Sequence, residues 1–168
     1  MPRAHPPDRG PATRPTPPGL AGTIRERWDL LLVIAAGGAL GSLGRWALAQ
    51  AFPHGRRGIP AATWTANLVG SFVLGGLLVL VTEVWPPRRY VRPFLGVGVL
   101  GGFTTFSTYM LDAHTLVDAG AAGRAAAYVL GTLVTGLFAC WGGIALTRAT
   151  VRTQRDRLRR SPIAKEKP

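Results

Sequence analysis

Four apolar stretches, residues 30–52, 61–84, 94–117 and 121–147, limit what this chain can fold into. Each is as long as the about 20 residues that a helix needs to cross a hydrocarbon core. Inside lipid there is no water to satisfy backbone N–H and C=O groups, so spans of this kind are helical. The expected fold is therefore an all-α integral membrane protein with four transmembrane helices. Composition supports it once position is considered. The 168 residues are 47% hydrophobic yet carry a formal net charge of +12, and the charges lie almost entirely outside the four stretches. Three segments follow: a Pro/Arg-rich N-terminal tail over residues 1–28, a four-span membrane domain over 29–148, and a basic C-terminal tail over 149–168. Met1 to Pro18 holds seven prolines, a composition that cannot bury a core and is expected to be disordered. Ala47-Leu48-Ala49 resembles a signal-peptidase site after an apolar run, but the leader would be unusually long and Arg45 stands just before it.

The high positive charge does not read as nucleic-acid binding, because no aromatic platform or groove-reading helix is interleaved with the basic residues. Anionic lipid headgroups suit it better. Cys140 is the single cysteine, so no intrachain disulfide and no cysteine-based metal site can form. No nucleophile, general base or metal-bound water is arranged by the sequence, and no enzyme activity is expected.

The third stretch is the wrong composition for a plain lipid-facing helix. Gly101 to Asp112 reads GGFTTFSTYMLD, with two glycines, three threonines and a serine where leucine would be cheapest in lipid. This predicts a break in the third helix, which is tolerated only where protein or a polar cavity satisfies the freed backbone. Helix N-termini at such breaks attract anions, and unwound carbonyls coordinate cations. Phe106, Tyr109 and Asp112 follow at i, i+3, i+6, with Thr105 and Thr108 on a neighbouring face, making an aromatic and hydroxyl wall. Asp112 is expected to pair locally with Arg45 or His114.

The other stretches carry small residues at helical spacing. Gly37, Gly41 and Arg45 stand at i, i+4, i+8, so a glycine stripe that admits a close helix ends in an arginine. Arg45 either snorkels to the interface or lines a positive vestibule. The short connection 53–60 predicts that spans one and two are antiparallel neighbours. In the second span Ala66 and Gly70 form a small-xxx-small pair, and Asn67 either glues helices or faces a polar path. In the fourth, Tyr128, Thr132, Gly136 and Cys140 share a stripe beside Thr135, whose hydroxyls could line a path or bond back to their own helix.

Taken together these motifs resemble the CrcB/Fluc family of fluoride channels across Gly37 to Gly143. GGFTTFST at Gly101 to Thr108, followed by Asp112, resembles the family's central motif. Asn67-Leu68-Val69-Gly70-Ser71-Phe72 is similar to its second-span motif, Gly37-Gly38 with Gly41 and Arg45 to its first-span motif, and Tyr128 to its fourth-span tyrosine. The resemblance implies an antiparallel dual-topology dimer, two fluoride pores at its interface and passive export of fluoride from the cell across a prokaryotic inner membrane. It also implies one structural sodium ion, held by backbone carbonyls of Gly101 and Thr104. Pore residues on this reading are Asn67, Phe106, Tyr109, Thr105, Ser107, Thr108, Tyr128, Thr132 and Arg45. Fluoride is small and strongly hydrated, so neutral donors and positive ring edges suit it better than a trap of full charges. Tyr109 stands where the family usually has phenylalanine, and Trp46 and Trp64 also depart from common residues. The extra phenol either assists an anion or obstructs its path. Two other classes compete: a proton-coupled four-span exporter, for which Asp112 is the only candidate acid, and a non-conducting structural subunit.

Charge also predicts orientation. With four spans both termini share a side, which receives the arginines of the N-terminal tail, Arg88, Arg89, Arg92 and every basic residue from Arg148 onward. The other side has Arg56, Arg57 and Arg124. That bias places both termini in the cytoplasm. A chain so biased inserts poorly in both directions, so its partner is expected to be an oppositely oriented related subunit, the alternative being that it inserts both ways and forms a homodimer.

Overall fold

The computed structural model describes residues 20–160. They form five helices: α1 (Leu20–Ala51), α2 (Ala61–Val79, continued by Leu80–Val84), α3 (Arg92–Leu100 with Gly101–Phe103), α4 (Ser107–Asp118) and α5 (Ala122–Arg160). No strand occurs among the described residues. Four stretches are long and apolar enough to cross a membrane: Arg27–Ala51, Ala61–Val84, Arg92–Asp118 and Ala122–Gln154. The third of these spans comprises α3 and α4 and the break between them.

The ends differ from the expected segments. Helix α1 begins at Leu20, inside the segment expected as tail, and leaves helical geometry at Arg27 (φ −123°, ψ 15°) before entering the apolar span. Helix α5 carries past Arg148 to Arg160, so the basic C-terminal segment starts as a helical extension. The prolines of Met1 to Pro18 lie outside the described residues. Leu80–Val84 and Arg92–Leu100 are wound in wide turns, the first closed by the Trp85 N–H on the Leu80 carbonyl at 2.7 Å. Pro86, Pro87 and Pro93 bracket this corner and withhold the amide protons that an ordinary helix end would use.

Packing pairs the spans one with three and two with four, and this corrects the expectation from the short 53–60 connection. Spans one and two touch only sparsely. The reason is where the small residues lie. A Cβ on Gly37 would stand 2.5 Å from the Phe94 carbonyl and 3.0 Å from Gly98 Cα, one on Gly41 would press on the Val99 carbonyl, and one on Gly102 would press on the Gly38 carbonyl. Backbone meets backbone along this seam, which only glycine permits. Between spans two and four, Gly75 packs on the Cys140 carbonyl and Gly143 on the Phe72 carbonyl. A short loop brings two helix ends together; it does not decide which faces adhere.

Polar ties close both ends. Asp29 accepts from Tyr90 Oη at 2.8 Å and pairs with Arg89 at 2.8 Å, and Arg148 holds Glu83 at 2.6 Å. At the other end Arg57 Nε donates to the Ala119 carbonyl at 2.9 Å, and Arg124 to the Arg57 carbonyl at 2.8 Å.

Candidate functional site

The third span breaks after Phe103. Thr104 is extended (φ −80°, ψ 155°), and helix resumes at Ser107. Asn67 of α2 holds the gap open. Its Oδ1 accepts from the Thr105 N–H at 2.8 Å, and its Nδ2 donates to the Thr105 carbonyl at 3.0 Å. One carboxamide thus satisfies both backbone groups of the residue at the centre of the break, as burial in a membrane requires. Gly70, one turn on, makes room for the Thr104 methyl.

These bonds have a consequence for two carbonyls. In an unbroken helix the Thr105 N–H would bond Gly101 C=O and the Thr108 N–H would bond Thr104 C=O. Here the first goes to Asn67 and the second to Thr105 Oγ1 at 3.2 Å. Gly101 and Thr104, the residues implied as sodium ligands, are therefore among those whose carbonyls lose their helical donors. Hard carbonyl oxygens of this kind fit a sodium ion, and a Cβ at Gly101 would meet nothing within 4 Å, so approach to that backbone is open.

Beside the break runs a groove of about 790 Å³ between spans two, three and four, lined by Asn67, Ser71, Thr104, Thr105, Phe106, Tyr109 and Thr132 among others. The Phe106 ring is 75% exposed and lies 5.9 Å from the Tyr109 ring; Tyr109 is 5.3 Å from Tyr128. The three aromatics form a column from the open groove to the interior, where Tyr109 and Tyr128 are buried. The Tyr109 hydroxyl donates to the Val129 carbonyl at 2.8 Å. That bond commits the extra phenol of this chain to a neighbouring helix and leaves its ring to face the groove.

Most of the expected hydroxyl wall is committed within the protein. Thr104 donates to the Leu100 carbonyl, Thr105 to Thr108 Oγ1, Thr132 to the Tyr128 carbonyl and Thr135 to the Gly131 carbonyl. Thr132 and Thr135 thus bond back to their own helix, one of the two readings left open. Ser71 Oγ makes no hydrogen bond among the described residues and faces the groove; its place at i+4 from Asn67 was the available signal. Ser107 lies 3.3 Å from Thr105 Oγ1 and is exposed.

The remaining candidates sit apart from the groove. Arg45 Nε donates to the Gly102 carbonyl at 3.1 Å, and Arg45 shares a separate hollow with Ser42, Thr63 and Thr108. Tyr128 lines a third recess with Ile59, Trp64 and Arg124, and its hydroxyl is buried beside Thr63 and Asp112 without a well-formed hydrogen bond among the described residues. Trp64 Nε1 donates to Thr135 Oγ1 at 3.1 Å, stitching spans two and four.

Asp112 pairs with neither expected partner. His114 is turned to Asp118 at 3.1 Å, and Arg45 is held by Gly102. Asp112 Oδ2 instead accepts from Thr63 Oγ1 at 2.6 Å, and its Oδ1 stands 4.0 Å from His54 Nε2. The cause is direction on the helix: i, i+4 and i+8 from Thr63 run through Asn67 to Ser71, so Thr63 points to the same neighbouring span that Asn67 clamps.

The profile of the family described as CrcB-like protein, Camphor Resistance (CrcB), matches residues 32–144. The chain belongs to the CrcB family. Among its relatives, "Fluoride-specific ion channel FluC 3" of Streptomyces avermitilis is 48% identical over 124 residues, 74% of this chain and 61% of that protein. "Fluoride-specific ion channel FluC" of Rhodospirillum centenum is 44% identical over 123 residues, covering 73% of this chain and 98% of the relative. A second Streptomyces avermitilis protein, "Fluoride-specific ion channel FluC 2", is 47% identical over 113 residues, 65% and 72% of the two chains. The chain thus spans about three fifths of the first relative and nearly all of the second. The family match covers the two glycine-lined seams and the break, which are the parts of the fold that shape the groove.

Proposed function

We propose that the chain is a subunit of a passive, fluoride-selective channel, with the groove beside the third-span break as its ion path. The observation that carries this reading is the convergence of Asn67, Ser71, Phe106 and Tyr109 on one groove. Fluoride must shed water to enter, and a selective path has to replace those hydrogen bonds without holding the ion too tightly. Ser71 Oγ and the second N–H of the Asn67 amide are neutral donors, and the edges of Phe106 and Tyr109 carry partial positive charge. Among the described residues no full positive charge lines the groove. Relatives named as fluoride-specific ion channels support the choice of ion.

In this reading two subunits of opposite orientation close the groove into a pore. Gly101 and Thr104 carbonyls from each would hold one central sodium ion, whose role is structural: it neutralises the oxygens that the break exposes. Fluoride leaves the cell by this path, and both termini face the cytoplasm of a prokaryotic inner membrane.

Fluoride efflux from loaded liposomes, followed with a fluoride electrode, tests the assignment. Reconstituted protein, supplied with an oppositely oriented subunit where one is needed, should release fluoride and retain chloride. Phe106→Ile and Asn67→Asp should each suppress the flux. Equal leakage of chloride, or full flux in both variants, would overturn the pore. For the cation, Thr104→Ala should weaken sodium dependence less than Gly101→Pro, which disturbs the backbone itself; equal tolerance of both would rule out a carbonyl cage.

A further inference from the structure

Asp112 differs from the other described acids in its company. Asp29 pairs with Arg89 and Glu83 with Arg148, cations that keep their charge at any physiological pH. Asp118, paired with His114, is an exposed surface group with 53% of its side chain accessible, where solvent screens the charge. The Asp112 side chain is 13% exposed, and the one ion-pair partner it has among the described residues is His54, from the connection between spans one and two. It lies three residues beyond Tyr109, is joined to Thr63, and stands beside Tyr128, the innermost ring of the aromatic column. An anion leaving or entering the column at this end meets an acid whose neutralisation depends on a histidine.

We propose that His54 is the counter-charge of Asp112 and that its protonation sets how freely an anion passes this end of the groove. The inference rests on the groove being the ion path. His54 Nδ1 lies 3.3 Å from the Gly55 carbonyl, an acceptor that favours the proton on Nδ1 in the neutral ring. Nε2 then presents a lone pair to the Asp112 carboxylate when the ring is neutral and an N–H when it is charged. Histidine is the side chain that changes charge between pH 5 and 8. In the charged state the pair is neutral overall and the approaching anion is no longer repelled; in the neutral state a net negative charge guards the mouth.

The other groups around this pair are uncharged, carry a permanent charge held elsewhere, or are turned away from it. From span two comes the Thr63 hydroxyl and from span four the Tyr128 phenol. From span one comes Arg45, a permanent cation held at the Gly102 carbonyl. At the same end Arg57 and Arg124 are fixed on backbone carbonyls, and on the same helix His114 is turned to Asp118. Among the described residues only His54 stands at Asp112 as a switchable charge.

Fluoride efflux from proteoliposomes is measured from pH 8 to pH 6, with the leak of the undissociated acid through protein-free vesicles subtracted at each pH. Wild type should conduct severalfold faster at pH 6 than at pH 8. His54→Gln should be slow and flat across the range, and His54→Lys fast and flat. A flat wild-type profile, or an undiminished rise in His54→Gln, overturns the proposal while leaving the channel assignment standing. Absence of fluoride flux at every pH, with an oppositely oriented subunit supplied, would instead sink the channel. The pair itself is then judged by thermal melting of His54→Gln, Asp112→Asn and the double variant. At pH 6 the double variant should depart from additivity by about 2 °C, and at pH 8 by much less. Additive behaviour at both pH values overturns the pairing independently of transport.

Discussion

At residue scale the structure divides the polar side chains into those that build the break and those left over for an ion. Asn67 belongs to both groups. Its two bonds to Thr105 mean that Asn67→Asp removes a donor, adds a charge and leaves a backbone carbonyl unsatisfied, at a cost of about 1–3 kcal/mol. A melting temperature lowered by about 2–4 °C for each kcal/mol should accompany the loss of flux. Tyr109 should behave in the opposite way. Its hydroxyl serves the Val129 carbonyl, so Tyr109→Phe should lower stability by about 1 kcal/mol and leave fluoride flux close to wild type. A large change of flux in that variant would make the hydroxyl an ion ligand. The sequence identified the type of residue at these positions but not the partner. Asn67, Phe106 and Tyr109 were legible as candidates because polar and aromatic groups are costly or oriented in a membrane. The tie from Tyr109 to Val129, and the tie from Thr63 to Asp112, depend on which helix faces which, and no periodicity within one span contains that.

At the scale of elements, glycine position decides the packing. Gly98 sits in the seam between spans one and three, where a Cβ would lie 2.8 Å from the Ile34 carbonyl and 2.9 Å from Gly37 Cα. Neither neighbour is a flexible side chain that could move aside. Gly98→Ala should therefore destabilise the protein by about 1–3 kcal/mol, the usual cost of overpacking. Gly131 in α5 has nothing within 4 Å of its Cβ position, and Gly131→Ala should be neutral or stabilising by up to about 1 kcal/mol through helix propensity. Thermal melting in detergent separates the two; a destabilised Gly131→Ala beside an unaffected Gly98→Ala would reverse the account. Span lengths and the break at Gly101 to Ser107 could be read from composition, because lipid imposes those on any sequence. Pairing of spans one with three could not. The glycine stripe announces a close neighbour, and its identity emerges only when Gly98 and Gly102 are seen to form the matching stripe across the seam.

For the molecule as a whole, the distribution of charge leads to its assembly. Arg88, Arg89, Arg92 and Arg148 gather at one end of the helical body, and the helical extension of α5 carries Arg152 beyond it. Arg56, Arg57 and Arg124 stand at the other end, and two of these are tied to backbone carbonyls. Positive residues in short loops and near span ends hold their side of the membrane in the cytoplasm, so the larger cluster, and with it both termini, should lie there. The open groove and the 75% exposed Phe106 ring require a covering surface if water is to be excluded from an ion path. In an antiparallel pair that surface comes from a chain inserted the other way. This chain, with its strong bias, should supply one orientation and a related subunit of opposite bias the other. Reporter fusions at the C-terminus should give signal from the cytoplasmic side only, and fluoride flux should appear when the chain is co-reconstituted with such a subunit and be weak without it. Equal signal from both sides of the membrane, together with full flux from this chain alone, would show instead that it inserts both ways and pairs with itself.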